Sequence, residues 1–243
     1  MKKIPFLVIM IAFTCLYFSC KEEEQRVYNC MDYDGNSYKI VTFGDQLWMA
    51  ENLKAIHATD GGKNYLTTEL VHWVNKDVER RFLLENDTVY RSIYGYMYNF
   101  RAIESGTLAP RRWHIPSKAE WETLFAYVKA KHFAYEPAAT SDWVGKALSS
   151  KTIWNTSIMT GSVGYELSTN NSTGFNALPG GIRTSNGEFT GEKYLACFWT
   201  STLDSTTNRP LVVYIGNNDI EFRVDTFMTN DEACYVRCVR NIE

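Results

Sequence analysis

Sulfur supplies the residues whose types and spacing could do chemistry in this chain. Of six cysteines, Cys15 and Cys20 belong to an apolar amino-terminal segment, which leaves Cys30, Cys197, Cys234 and Cys238. Paired thiols can close a disulfide, and paired thiolates can hold a soft metal such as copper(I), because soft metals prefer sulfur ligands. Cys234 and Cys238 are four residues apart. On an extended strand that is ~13 Å, beyond the ~4.4–6.8 Å between α-carbons that a disulfide needs. These two can therefore neither bond each other nor share a metal unless the chain turns sharply between them. An even number of thiols points to two disulfides where a chain is exported, a condition the amino terminus bears on.

The other reactive types offer less. His57, His72 and His132 have no metal-ligand spacing, and His114, between Trp113 and Pro116, reads as a core histidine satisfied by backbone. No Gly-x-Ser-x-Gly or phosphate loop occurs, and no Lys-Ser/Thr follows Gly180-Gly181. Asn217-Asn218-Asp219 with Glu221 offers hard oxygen ligands but reads first as a polar hairpin tip. No catalytic residue, metal ligand or cofactor is expected.

The amino terminus carries a different chemistry. Lys2 and Lys3 precede an apolar run from Ile4 to Phe18, shorter than the ~20 residues a spanning helix needs. Leu16-Tyr17-Phe18-Ser19-Cys20 resembles the lipobox of bacterial lipoproteins. That resemblance implies a signal peptide over residues 1–19 and a membrane anchor of diacylglycerol and a palmitate-like acyl chain on Cys20; Tyr17 is bulkier than usual, and an ordinary secretory signal is the alternative. One acyl chain holds only marginally, so multiple acylation makes a durable anchor. Residues 20–27 form an acidic tether, in which Lys21-Glu22-Glu23-Glu24 resembles the signal that sends lipoproteins of Bacteroidota to the exterior face of the outer membrane. The plainer reading of that run is a solvated spacer.

The elements that must position the thiols lie in residues 28–243, where no linker, low-complexity tract or repeat suggests a second domain. The formal net charge of −3 becomes more negative once two signal lysines leave, which argues against nucleic acid as a partner. Aromatic residues at 14% favour a strand- and loop-rich fold. Asp34-Gly35 and Gly44-Asp45 predict turns in an amino-terminal meander, and residues 57–91 read as a long connection. Ser117 and Glu120 form a capping box ahead of Trp121, Leu124, Phe125 and Val128, an apolar stripe about four turns long. A weaker helix is expected over residues 141–148. Leu178-Pro179-Gly180-Gly181 predicts a type II turn with positive φ at the glycine after proline, and Asn186-Gly187 predicts a hairpin. Strands are expected over residues 197–202, 210–215 and 233–240, giving an α+β plan.

Several segments together resemble the Fibrobacter succinogenes major paralogous domain. They are Gly44-Asp45-Gln46-Leu47-Trp48-Met49-Ala50-Glu51-Asn52-Leu53, Tyr94-Gly95-Tyr96-Met97-Tyr98-Asn99-Phe100, Trp113-His114-Ile115-Pro116-Ser117, Gly174-Phe175-Asn176-Ala177-Leu178-Pro179-Gly180-Gly181-Ile182-Arg183, Phe198-Trp199-Thr200-Ser201-Thr202 and Val236-Arg237-Cys238-Val239-Arg240. The resemblance implies a fold similar to formylglycine-generating enzymes and, more distantly, to C-type lectins: an antiparallel sheet core with one or two flanking helices and long loops. It also implies a nested pairing, Cys30 with Cys238 and Cys197 with Cys234. The expected function is a binding or adhesion module for a glycan or protein, with loops at residues 201–210 and around Asn217, beside Trp199 and Tyr214, as places to look; Trp199 itself reads first as core, so no binding residue is assigned. The alternatives are a structural subunit of an envelope assembly and, less favoured, a copper-dependent oxidase-like enzyme.

Overall fold

The computed structural model describes residues 28–66, 78–133, 135–136 and 141–242. Cys20, the signal segment, the tether and His72 lie outside the described residues.

The amino-terminal meander forms as the turn chemistry predicts. Ile40–Phe43 (β1) pairs antiparallel with Gln46–Met49 (β2) across Gly44-Asp45, with Gly44 at φ 58°. In residues 57–91 the long connection holds more structure than the sequence suggests. Tyr65–Leu66 (β3), Arg80–Phe82 (β4), a 3-10 turn at Leu84–Asn86 and helix Tyr90–Tyr94 (α1) lie within it or at its end. Each is too short for periodicity to register. Met97–Asn99 (β5) runs directly into Phe100–Glu104 (α2), whose cap is Asn99 accepting from Ala102 N–H at 3.3 Å.

The longest helix, Lys118–Ala130 (α3), begins where the capping box places it. Ser117 Oγ accepts from Glu120 N–H at 3.3 Å, and Glu120 accepts from Ser117 N–H at 2.8 Å. Trp121, Leu124 and Val128 are buried, while Lys118, Lys129 and Lys131 stay outside. His114 departs from expectation: it is not a core residue but half-exposed, 2.6 Å from Glu120. Burial alone would raise the Glu120 carboxyl. Hydrogen bonds from His114 and from the backbone and hydroxyl of Ser117 outweigh that and hold it at about 2. Because the folded value lies below the unfolded one, this stabilisation is full above about pH 4.5 and is lost as pH falls toward about 2. Ser117→Ala is expected to cost about 1 kcal/mol. In urea titrations the stability gap between wild type and Glu120→Gln should be present at neutral pH and close over that acid window; a gap independent of pH would contradict the cap.

After Tyr135–Glu136 (β6) and Ser141–Asp142 (β7), the second helix is shorter than residues 141–148: it spans only Val144–Leu148 (α4). Gly145 explains its close seating, since a Cβ there would meet Ile215 Cδ1 and Ile220 O at 2.4 Å. Lys146 on α4 is buried, with its ammonium donating to the carbonyls of Ser162, Tyr165 and Glu166.

Gly180–Arg183 (β8) and Phe189–Glu192 (β9) form a hairpin about Asn186-Gly187. The residue with positive φ is Gly181, at 70°, rather than the glycine directly after Pro179, so the type II turn is replaced by a strand start. A Cβ on Gly181 would approach Thr190 O to 2.1 Å. Leu195–Leu203 (β10), Pro210–Gly216 (β11) and Arg223–Asp225 (β12) follow. The last expected strand is two, Ala233–Tyr235 (β13) and Val239–Asn241 (β14), with Val236–Cys238 between them.

The larger sheet has nine described strands, ordered β12-β11-β10-β13-β5-β4-β3 with β8 and β9 branching from β13. A three-stranded sheet is β1-β2-β14, and β6 pairs with β7 in a two-stranded one. The fold is therefore mixed α+β, mostly sheet with few helices. Strand alternation divides the core in two. Cys197, Trp199, Cys234 and Val236 face one cluster, and Ala196, Phe198, Ala233 and Tyr235 face the other, where Trp48, Trp121, Phe175 and Phe198 pack. Trp48 and Trp121 centroids are 4.7 Å apart, an arrangement that adds to simple burial.

Candidate functional site

A polar cavity of about 630 Å³ opens where three segments converge. Glu51, Asn52 and Lys54 follow β2, Ser92 and Ile93 come from α1, and Asn171, Gly174 and Asn176 come from the loop before β8, with Lys39 at the rim. The loop is held in an unusual backbone: φ is 58° at Asn171, 79° at Gly174 and 60° at Asn176. Asn tolerates the left-handed region better than most residues. The two asparagines also hold each other, since Asn171 Oδ1 accepts from Asn176 N–H at 2.9 Å and Asn171 Nδ2 donates to Asn176 Oδ1 at 3.3 Å.

Arg237, in the link between β13 and β14, fixes the floor. It is fully buried, and its guanidinium donates to Asn52 Oδ1 at 2.7 Å, Met49 O at 3.0 Å, Phe175 O at 2.7 Å and Asn176 O at 2.9 Å. It also lies 4.7 Å from the Phe175 ring centroid. Burial lowers the guanidinium to about 9, with Glu51 supplying an opposing attraction, so it stays charged at neutral pH. One rigid fork thus ties β2, the asparagine loop and the carboxy-terminal link together, which a flexible ammonium could not do. Glu51 is partly desolvated, which raises its carboxyl, but Lys54 at 2.7 Å, the Lys39 amide and both lysine charges hold it below its ordinary value. The amide of Asn52 is buried and spent on Arg237 and on Tyr94 O, to which it donates at 2.8 Å, so the cavity presents two ammonium groups, one carboxylate and the amides of Asn171 and Asn176 on a fixed frame. Ser92 Oγ is occupied with Val89 O at 3.1 Å. Such groups suit hydrogen bonding to a polyhydroxylated ligand better than nucleophilic chemistry.

The four cysteines are buried and free in this structure. They fall into two neighbourhoods. Parallel β10 and β13 pair Phe198 with Tyr235, which sets Cys197 beside Cys234 on the same face. Their side chains hydrogen-bond, and Cys197 Sγ lies 3.6 Å from Met228 Sδ. Burial, then Cys197, pushes the Cys234 thiol well up. Burial, then Cys30, does the same to Cys238, and burial followed by Asp32 takes Cys30 to about 12. Cys234 and Cys238 have different neighbours, as their spacing suggests. These three thiols are neutral near pH 7, a poor state for nucleophilic attack.

The loops singled out from sequence contribute little. Trp199 is core: fully buried, its Nε1 donates to Tyr98 O at 2.7 Å and its ring meets Phe100 edge-on at 5.2 Å. Tyr214 packs edge-on against Phe227 at 5.1 Å. In residues 201–210, Asp204 folds the turn by accepting from Thr206 and Thr207. Asn217 is mostly buried and Asp219 pairs with Arg223, so this tip binds itself. Among the described residues no group of three His, Cys, Asp or Glu could hold a metal ion, and no helix is long and apolar enough to cross a membrane. His57 meets Asp34 at 2.5 Å and His132 meets Asp142 at 3.0 Å.

The blocks containing Asn52, Asn176 and Arg237 carry the family resemblance without pointing to a pocket, and no motif marks Lys39, Lys54 or Asn171 as lining residues. A Gly and two Asn within six residues was the available signal for a left-handed loop. No curated protein and no solved structure matches the chain. The model of the Fibrobacter succinogenes major domain matches residues 41–240, which include nearly all of the lining just described, and the chain belongs to that family.

Proposed function

We propose that this chain is an envelope lipoprotein, exported, acylated at Cys20 and displayed at the outer membrane, whose C-type-lectin-like domain binds a glycan. The observation that carries the binding reading is the cavity lined by Lys39, Glu51, Lys54, Asn171 and Asn176. Sugar hydroxyls donate and accept at once, and amides offer both functions on one rigid plane. Arg237 and the paired asparagines set those groups in place before any ligand arrives, which lowers the ordering cost of binding. A binding role for the domain, rather than an oxidase-like one, is supported by the neutral, buried state of Cys30, Cys234 and Cys238.

Export also bears on the cysteines. In an oxidising compartment the neighbours Cys30 with Cys238 and Cys197 with Cys234 are the pairs expected to join. Adjacent strands lie ~4.8 Å apart, within the range of α-carbon separations a disulfide spans.

A glycan array probed with the mature chain tests the reading. The expected result is selective retention of at least one glycan class, and Lys39→Ala with Glu51→Gln should weaken it by about tenfold, the worth of one well-made polar contact. No retained glycan, or equal retention by the double variant, would remove the cavity from the account.

A further inference from the structure

On a different face, three arginines line a continuous depression beside the first described residues. One cavity of about 680 Å³ is bounded by Asn29, Met31, Arg111, Arg112 and Arg240, and a second of about 470 Å³ shares Arg112 and Arg240 and adds His114 and Asn241. The topology explains the convergence: His114 bridges to Val239 beside β14, and Trp113 Nε1 donates to Asn29 O at 3.4 Å. Arg240 lies over the Tyr28 ring at 5.3 Å. None of the three arginines forms an ion pair with a described carboxylate, and the neighbouring Glu120 is engaged by His114. Arg112 stands at φ 69°, a backbone in which a long side chain is uncommon. In a chain of net negative charge, three arginines clear of the described carboxylates give this groove a local positive field that attracts anions.

We propose that this groove is a phosphate-binding face that seats the domain on anionic lipid headgroups. The inference rests on the reading of Cys20 as the lipid anchor. Eight residue steps separate Cys20 from Tyr28, a reach of at most ~28 Å, so the anchor holds the Tyr28 end of the domain toward the bilayer. Arginine forks match phosphate oxygens two at a time. Met31, 54% exposed and part of the groove's lining, supplies an apolar side chain that suits the interfacial layer.

The test uses the mature chain from residue 20 carrying Cys20→Ser, so that no acyl chain contributes. Sedimentation with phosphatidylcholine vesicles containing phosphatidic acid should retain it, and plain phosphatidylcholine should not. Arg111→Gln with Arg240→Gln should weaken partitioning by about thirtyfold, fivefold for each cation removed near the surface. Lys129→Gln with Lys131→Gln, at the far end of α3, should leave it unchanged. Failure of the phosphatidic acid vesicles to retain the protein, equal retention of the arginine double variant, or binding of inorganic phosphate without vesicle retention overturns the proposal. Mass spectrometry of residue 20 in the bacterial product reports on the anchor separately. Lipid present with no vesicle retention sinks the groove alone, whereas retention with residue 20 bare sinks only the anchor.

Discussion

Joining Cys30 to Cys238 is expected to stabilise the oxidised protein by about 5 kcal/mol, and joining Cys197 to Cys234 by about 4 kcal/mol, relative to the reduced chain. The first bridge would close almost the whole domain, so its effect on the unfolded ensemble is near the upper end of what chain entropy allows. Native strain and residual structure in the reduced chain subtract from both figures. The proximity argument is independent of the loop lengths: parallel β10 and β13 put the second pair on one face, and in the first pair Cys30 is the neighbour that acts on the Cys238 thiol after burial. Peptide mapping without reduction should recover the two linked pairs. Denaturant titration with and without reductant should separate by several kcal/mol. Alkylation of all four thiols in the unfolded, unreduced protein would end the proposal and return the sulfurs to the role of small core residues.

Arg237→Met should cost about 4 kcal/mol, because the apolar replacement keeps volume but strands buried acceptors at about 1–3 kcal/mol each. Asn52 Oδ1 and the carbonyls of Met49 and Phe175 lose their donor together, and the cation over Phe175 is lost as well. A melting temperature lower by roughly 10 °C is the corresponding thermal change for a domain of this size. Arg237→Lys should recover only part of that, since one ammonium cannot reach four acceptors spread over two segments. Because the same guanidinium sets the cavity floor, glycan affinity should fall in parallel with stability. A cost below about 1 kcal/mol for Arg237→Met would mean that water replaces the guanidinium and that the cavity is not held as argued.

Where local physics decides, reading and structure agree. The capping box at Ser117 starts α3, the two-residue Gly44-Asp45 turn joins β1 to β2, and Asn186-Gly187 joins β8 to β9. Agreement lapses where an element is too short to show a period, as at α1 and α2, or where a neighbour dictates the backbone. Gly181 takes the positive φ, and Thr190 O leaves no space there for a side chain, facts invisible in Leu178-Pro179-Gly180-Gly181. His114 was misplaced for a similar reason. Its apolar sequence neighbours are buried, but its own side chain points out to complete the cap through Glu120.

The amino-acid sequence by itself determined the family, the α+β character and the start of α3, since these depend on composition, short-range spacing and blocks of residues in order. Only the tertiary structure decided that His114 lies outside the core, that Lys146 and Arg237 are buried among carbonyls, and that Arg111, Arg112 and Arg240 share one groove. The reason is separation along the chain. Each of these groupings joins residues from different elements through strand pairing or a loop crossing, and no period or spacing within one segment encodes where its partner will lie.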